Sequence, residues 1–215
     1  MISHQYKCIF VEVPKTGSGS IRAIIGSPPK PHLNIWQINY NMQNYWTHYD
    51  GRKNRVLASL YLLLPEKKRS EIGEKQFNSY FKFGFVRNPW DRAVSLYLRK
   101  QGLQMRHKLT FEEFVAWIKY SSSTCIHPVP HLNQLDWFVD PHGNVLVDFI
   151  GKFESLQSDW VKISKKLGLT QELPHKKKNP RRGKHYTEYY SVATEKIIED
   201  KFRVDIEYFG YEFGK

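Results

Sequence analysis

Lys15 stands between a short apolar run and a cluster of glycine and hydroxyl residues, in the order Cys8-Ile9-Phe10-Val11-Glu12-Val13-Pro14-Lys15-Thr16-Gly17-Ser18-Gly19-Ser20-Ile21. Such a stretch suits one kind of chemistry. Successive backbone N–H groups at a helix N-terminus attract phosphate or sulfate, the helix dipole adds to the attraction, and Lys15 supplies a mobile full charge. Gly17 and Gly19 let the backbone approach a ligand closely, while Thr16, Ser18 and Ser20 add hydroxyl donors. Pro14 lacks an N–H and closes the strand ladder, and Ser20 is placed to cap the helix that follows. A second basic stretch, Arg87-Asn88-Pro89-Trp90-Asp91-Arg92, follows another β-prone run, Tyr80 to Val86. The planar guanidinium of Arg87 suits two phosphate oxygens at once, a structural ion pair being the alternative. Ser95 lies about two helical turns beyond it.

The elements that must position these residues alternate between strand and helix. Ile21 to Ile25 reads as a helix stopped by Gly26 and the prolines after it. Residues 30–55 show little periodicity, which predicts a long loop or short helices. Val56 to Leu64 reads as helical, and Pro65 introduces a charged turn or helix over Glu66-Lys67-Lys68-Arg69. Ala93 to Leu98 continues as a helix from the second basic stretch, with Pro89 in or before its first turn and Asp91 at its positive end. Thr110 and Glu113 match a capping box ahead of Phe114, Trp117 and Ile118. Val145 to Ile150 reads as a third strand. Leu156, Trp160, Ile163 and Leu167 then form an amphipathic stripe ended by Gly168. A final helix is expected near Val192 to Phe202. This order predicts an α/β fold with a central, mainly parallel sheet flanked by helices, whose ligands sit beyond the carboxyl ends of the strands. Both basic stretches leave such ends.

A chain of 215 residues fits one domain spanning 1–215, and its 33 Lys and Arg against 21 Asp and Glu give a net charge of +12, so its ligands are expected to be anions. Charge alone does not choose among nucleic acid, anionic polysaccharide, a membrane surface and a phosphorylated cofactor. Only Cys8 and Cys125 are present, too few for a disulfide framework or a Cys-rich zinc site. His127 and His131 are separated by a segment holding Pro128 and Pro130, which breaks the helix that would align them, so no metal is expected. The N-terminus lacks a signal-peptide core and no run approaches the ~18 apolar residues of a membrane span, which points to a cytoplasmic protein. The densest positive run, Lys176 to Lys184, lacks the interleaved aromatics of a base-stacking surface, so nucleic acid is not the expected partner.

The loop around Lys15 is neither of the two common nucleotide motifs. A triphosphate-binding loop ends Gly-Lys-Ser/Thr, whereas Lys15 precedes both glycines, and Arg22 occupies the place of the third glycine in a dinucleotide fingerprint. The pairing of Val13 to Ser20 with Phe85 to Tyr97 instead resembles the sulfotransferases that use 3′-phosphoadenosine 5′-phosphosulfate (PAPS), most closely their bacterial and carbohydrate-modifying branch. The likeness continues through Phe149 to Leu156 and Tyr208-Phe209-Gly210-Tyr211. It implies a P-loop-like three-layer fold and transfer of a sulfuryl group to a hydroxyl-bearing acceptor, a saccharide or small molecule, with PAP as product and no metal. It also implies that Pro14, Lys15, Thr16, Gly17, Ser18, Gly19 and Ser20 hold the 5′-phosphosulfate, with Lys15 as the catalytic cation. Arg87 and Ser95 would bind the 3′-phosphate, and Arg182, Gly183 and Lys184 would cover the phosphates. Trp90 is placed either near adenine or in the core. The resemblance calls for a general base between the two loops, where His48 is favoured, with Asp50 to orient it, and His32 is the alternative. A P-loop kinase and a non-catalytic binder of anionic polymers are the competing readings. On the sulfotransferase reading, Lys15→Ala and Arg87→Ala abolish transfer and leave the fold intact.

Overall fold

In the computed structural model, residues 1–26, 32–44, 63–99, 109–120, 133–174 and 183–215 are described, the side chains of 119 and 120 excepted. Their four strands are β1 (Ile2–Ser3), β2 (Cys8–Val11), β3 (Phe81–Val86) and β4 (Phe149–Lys152), in that order across one sheet. β1 pairs antiparallel with β2, Ile2 opposite Ile9, and β2 pairs parallel with β3, Cys8 opposite Phe81 and Val11 opposite Gly84. The result is the expected α/β fold with an open, mostly parallel sheet. Every residue of β2 is buried, as in strands covered on both faces, so its apolar run is continuous rather than alternating.

The described helices are α1 (Ser18–Ile25), α2 (Ile35–Asn44), α3 (Glu66–Ser79), α4 (Pro89–Tyr97), α5 (Phe111–Tyr120), α6 (Leu156–Leu167), α7 (Val192–Lys201) and α8 (Arg203–Phe209). They belong to two compact units. One holds Met1–Val13, Gly17–Phe85 and Trp137–His175; the other holds Pro14–Thr16, Val86–Asp136 and Lys176–Lys215.

In the first unit, Cys8 and Phe10 of β2, Phe83 and Phe85 of β3, Ile21 and Ile25 of α1, and Trp160 and Ile163 of α6 form one buried cluster. The amphipathic stripe of α6 is the expected one, ended by Gly168 in the left-handed conformation. α2 crosses α3 at Gly73, where a Cβ would lie 2.0 Å from the Met42 carbonyl oxygen, so the two helices meet backbone to backbone. The third strand differs from expectation. Val145 forms only an isolated bridge to Val139, across a turn in which the Asp140 carboxylate accepts the His142 and Asn144 N–H groups. Asp148 accepts from the Lys82 N–H and pairs with its ammonium, and regular pairing begins one residue later.

In the second unit, α5 opens with the predicted capping box: the Thr110 N–H donates to Glu113 and the Glu113 N–H to Thr110 Oγ1. Tyr97, Phe111, Phe114, Tyr189 and Tyr190 form a continuous set of edge and tilted ring contacts. Trp90 is a core residue. It is 3% exposed, its Nε1 donates to the Glu195 carbonyl, and its ring meets Phe213 edge-on. A further helix, α8, follows the one expected near Val192 to Phe202. Residues 56–62 of the predicted helix over Val56 to Leu64 lie outside the described residues, and 63–64 form a turn.

Candidate active site

The chain leaves β2 through two left-handed residues, Lys15 at φ 75° and Gly17 at φ 83°. For lysine this is an uncommon conformation, held only where the surroundings impose it. Gly17 is the N-cap of α1, so the helix starts at Ser18 rather than Ile21. Ser20 therefore lies within the first turn and does not cap it; its hydroxyl donates to the Pro174 carbonyl at 3.2 Å. No side chain caps α1, and its first turn holds no acidic residue. Ser, Thr, Asp and Asn close this end of a helix with a side-chain oxygen, which Gly17 lacks, and a start without such a cap is suited to an external anion.

Packing around Gly17 is also tight, since a Cβ would lie 3.1 Å from the Phe153 and Leu156 side chains. Those side chains sit where β4 runs into α6, a junction held by Asp159. Its carboxylate accepts from the Lys152 N–H (3.0 Å), the Ser155 hydroxyl (2.8 Å) and Lys162 Nζ (2.8 Å). Burial pushes the Asp159 carboxyl up, but these donors together outweigh it and hold the group below the ordinary aspartate value. At the root of the loop Glu12 is 1% exposed, with Arg22 Nη2 at 3.2 Å from its carboxylate. The Glu12 carbonyl lies 3.1 Å from His32 Nδ1. A carbonyl can only accept, so Nδ1 carries the proton and, in the neutral ring, Nε2 is the basic nitrogen.

The chain leaves β3 differently. Asn88 is the N-cap of α4, its side chain accepting from the Trp90 and Asp91 N–H groups, and Pro89 takes the first helical position. The Asn88 amide donates in turn to the Glu212 carbonyl at 3.1 Å. The Arg87 main chain is clamped on both sides by Gln134, whose Oε1 accepts the Arg87 N–H and whose amide donates to the Arg87 carbonyl. Gln134 is held by Asp205, which accepts the Gln134 and Leu135 N–H groups. Burial raises the Asp205 carboxyl above its ordinary value, and these donors and the charge of Arg92 oppose the rise only in part.

Side chains from this second stretch grip the carbonyls of Pro14 and Lys15. Arg87 Nε pairs with Asp91 at 2.8 Å while its Nη1 donates to the Lys15 carbonyl at 3.1 Å, and Arg92 Nε donates to the Pro14 carbonyl at 3.2 Å. The C=O and N–H of a trans peptide point in opposite directions. Pinning the Pro14 and Lys15 carbonyls on the arginines therefore turns the N–H groups of Lys15 and Thr16 to the other side. The ion pair given as the alternative for Arg87 is present.

Of the remaining expected residues, Ser18 is nearly buried in the first turn of α1, Gly19 is half-buried beside it, and Ser95 is half-buried on α4. Gly183 and Lys184 are exposed; Lys184 Nζ donates to the Glu188 carbonyl and lies 4.5 Å from the Tyr189 ring. His48, Asp50, Arg182, His127 and His131 lie outside the described residues. Among the described residues no group of three His, Cys, Asp or Glu could hold a metal, and no helix is long and apolar enough to cross a membrane. Arg92, Gln134, Asp159 and Asp205 carry no role in the sequence reading. The Asn88-Pro89 pair does have a readable signal, that of an N-cap followed by proline.

A family model described as the sulfotransferase family matches residues 1–212. An uncharacterized protein of Archaeoglobus fulgidus is 39% identical over 107 residues, which cover 49% of this chain and 82% of that protein. No solved structure matches the chain. The match over nearly its whole length decides between the kinase, binder and transferase readings: the chain belongs to the sulfotransferase family, enzymes whose co-substrate is PAPS.

Proposed function

We propose that this enzyme moves the sulfuryl group of PAPS to a hydroxyl of a saccharide or another small molecule, with an amine as the lesser possibility, and releases PAP. On this reading it acts in the cytoplasm, groups with the bacterial and carbohydrate-modifying branch, and uses neither metal nor nucleic acid. The observation that carries the proposal is the grip of Arg87 and Arg92 on the Lys15 and Pro14 carbonyls, which directs the next N–H groups the opposite way. The residues fit a phosphosulfate, because α1 begins with neither a side-chain cap nor an acidic residue.

When bound, PAPS supplies a sulfuryl group carried on a phosphate leaving group. The protein's part is positioning and charge stabilisation. N–H groups from Lys15 to Gly19, with the hydroxyls of Thr16, Ser18 and Ser20, bind the 5′-phosphosulfate. The Lys15 ammonium would stabilise the charge that develops on the leaving phosphate, and so would bind the transition state more strongly than the ground state. Arg87 and Ser95 hold the 3′-phosphate, and Arg182, Gly183 and Lys184 cover the nucleotide. His48, oriented by Asp50, takes the proton of the acceptor; His32, with Nδ1 on the Glu12 carbonyl, is the second candidate for that step.

Lys15→Ala is expected to lower kcat/KM for sulfuryl transfer from labelled PAPS on the order of 10²- to 10³-fold. PAP should still raise the melting temperature of the variant. Full turnover by Lys15→Ala overturns the assignment of the loop, and stabilisation of the wild type by ATP but not PAP overturns the choice of nucleotide.

A further inference from the structure

α2 carries no charged residue, although the chain as a whole has a formal net charge of +12. Its neighbour α3 reads Glu-Lys-Lys-Arg-Ser-Glu-Ile-Gly-Glu-Lys over its first ten residues, so the missing charge is particular to α2 rather than general to this surface. Ile35, Ile38 and Met42 face inward. On the other side Trp36 is 44% and Tyr40 54% exposed. Residues four apart lie on one helix face, about 6 Å apart along the axis, so the two rings form a single aromatic strip. Amides flank the strip and are held in place: Gln43 donates to Asn39 at 3.0 Å, the Asn34 side chain accepts the Gln37 N–H at 2.7 Å, and Asn44 donates to the Tyr40 carbonyl at 2.9 Å.

Single exposed apolar residues need no explanation, but neighbouring Trp and Tyr side chains mark surfaces that bind. The chemistry of the strip selects its occupant. Nucleic acid or an anionic membrane surface would call for Lys and Arg, and α2 has none. A neutral ring bearing hydroxyls fits each part of the surface. Its C–H face lies on the aromatic rings, and its hydroxyls find both donors and acceptors on the amides. Position supports the same occupant. α2 starts three residues after His32, whose Nδ1 rests on the Glu12 carbonyl, and Glu12 follows directly on β2, two residues before Pro14.

We propose that α2 is the acceptor platform and that its occupant is a neutral saccharide, successive rings lying on Trp36 and Tyr40. The proposal rests on the sulfuryl-transfer reading and narrows its acceptor class. The test is titration of the full chain with the neutral tetrasaccharide chitotetraose, followed by tryptophan fluorescence and by calorimetry. Saturable binding is expected, weakened about tenfold or more in Trp36→Ala and in Tyr40→Ala, the scale of one lost ring contact. Tyr208→Ala on α8, which removes another aromatic that is 55% exposed, should bind as the wild type does. Affinity undiminished in both α2 variants, or binding of 2-naphthol with none of chitotetraose, overturns the proposal. Thermal shift by PAP separates the two levels. If PAP stabilises the wild type and both α2 variants while chitotetraose affinity is insensitive to them, the platform alone falls. If PAP fails to stabilise the wild type, the donor reading falls.

Discussion

The loops that leave β2 and β3 both carry a basic residue away from the end of a strand, yet they close in opposite ways. The first is shaped by backbone: two left-handed residues, a glycine pressed against Phe153 and Leu156, and a helix start with no side-chain cap. The second is closed by its own side chains, with Asn88 on the first N–H groups of α4, Pro89 at the first helical position and Asp91 on Arg87. A helix end already satisfied from within has little to offer a ligand. One left without a cap offers its donors and its dipole. The difference fits the proposed division of labour, in which the loop after β2 would hold the anion, while side chains of the loop after β3 hold the peptide groups of Pro14 and Lys15 in place. The supporting carboxylates differ too. Asp159 lies below its ordinary value because its donors prevail over burial, whereas Asp205 lies above because burial prevails.

The largest effect that separates the two loops is expected from Arg87→Ala. It removes Arg87 from its buried pair with Asp91, and breaking a buried pair by removing one member costs about 3–5 kcal/mol. The structure thus revises the expectation that this variant keeps its fold intact, because Arg87 is 6% exposed and bonded to both Asp91 and Lys15. Urea denaturation checks it, and a midpoint equal to that of the wild type breaks the contrast between the loops.

Gly17→Ala comes next. It forces a Cβ into the left-handed region and against Phe153 and Leu156, for a loss of about 1–2 kcal/mol. Chemical denaturation reads the loss, and the stabilisation by PAP should shrink with it if this backbone is what holds the anion.

The smallest effect is one of pH. A carboxyl held below its ordinary value stabilises the fold above about pH 4 and loses that contribution as the pH falls through its folded value. The stability difference between wild type and Asp159→Asn should therefore be constant from neutral pH to mild acid and close below it. Asp205 runs the other way. Its raised value favours the fold at low pH, and the benefit is lost as the pH rises through that value. Acid thus weakens the support behind Gly17 and strengthens that behind Arg87. Melting temperatures recorded across this range for the wild type and Asp159→Asn test the sign, and a gap that widens in acid refutes it.

Much of the scaffold is written locally. The apolar runs of β2 and β3, the capping box of α5, the stripe and terminal glycine of α6 and the Asn-Pro start of α4 each depend on residues within a few positions of one another. Position-specific failures share a cause. Ser20 is a good N-cap by type, but Gly17 adopts the left-handed conformation three residues earlier and starts α1 there. Val145 is a good strand residue, but the Asp140 turn folds it onto Val139. α2 was legible only as one of the short helices that residues 30–55 allowed beside a long loop, because its inward face is only Ile35, Ile38 and Met42. Least legible was the long-range bracing. Asp205 reaches Gln134 across 71 positions, and Gln134 reaches Arg87 across 47, and nothing in the local sequence of any of the three announces the others. Chemistry-bearing types stood out in the chain, whereas the residues that aim them are ordinary polar side chains whose partners only the fold supplies.

The contact at Gly73 bears on how such an enzyme can change over time. With the Met42 carbonyl where a Cβ would be, no layer of side chains lies between α2 and α3 at the crossing. There is nothing at that point to repack, and any side chain at position 73 would have to move a backbone. The exposed strip of the same helix is under no such restraint. On the acceptor role proposed for α2, single changes at Trp36 or Tyr40 would alter the acceptor while the frame that presents them stays fixed.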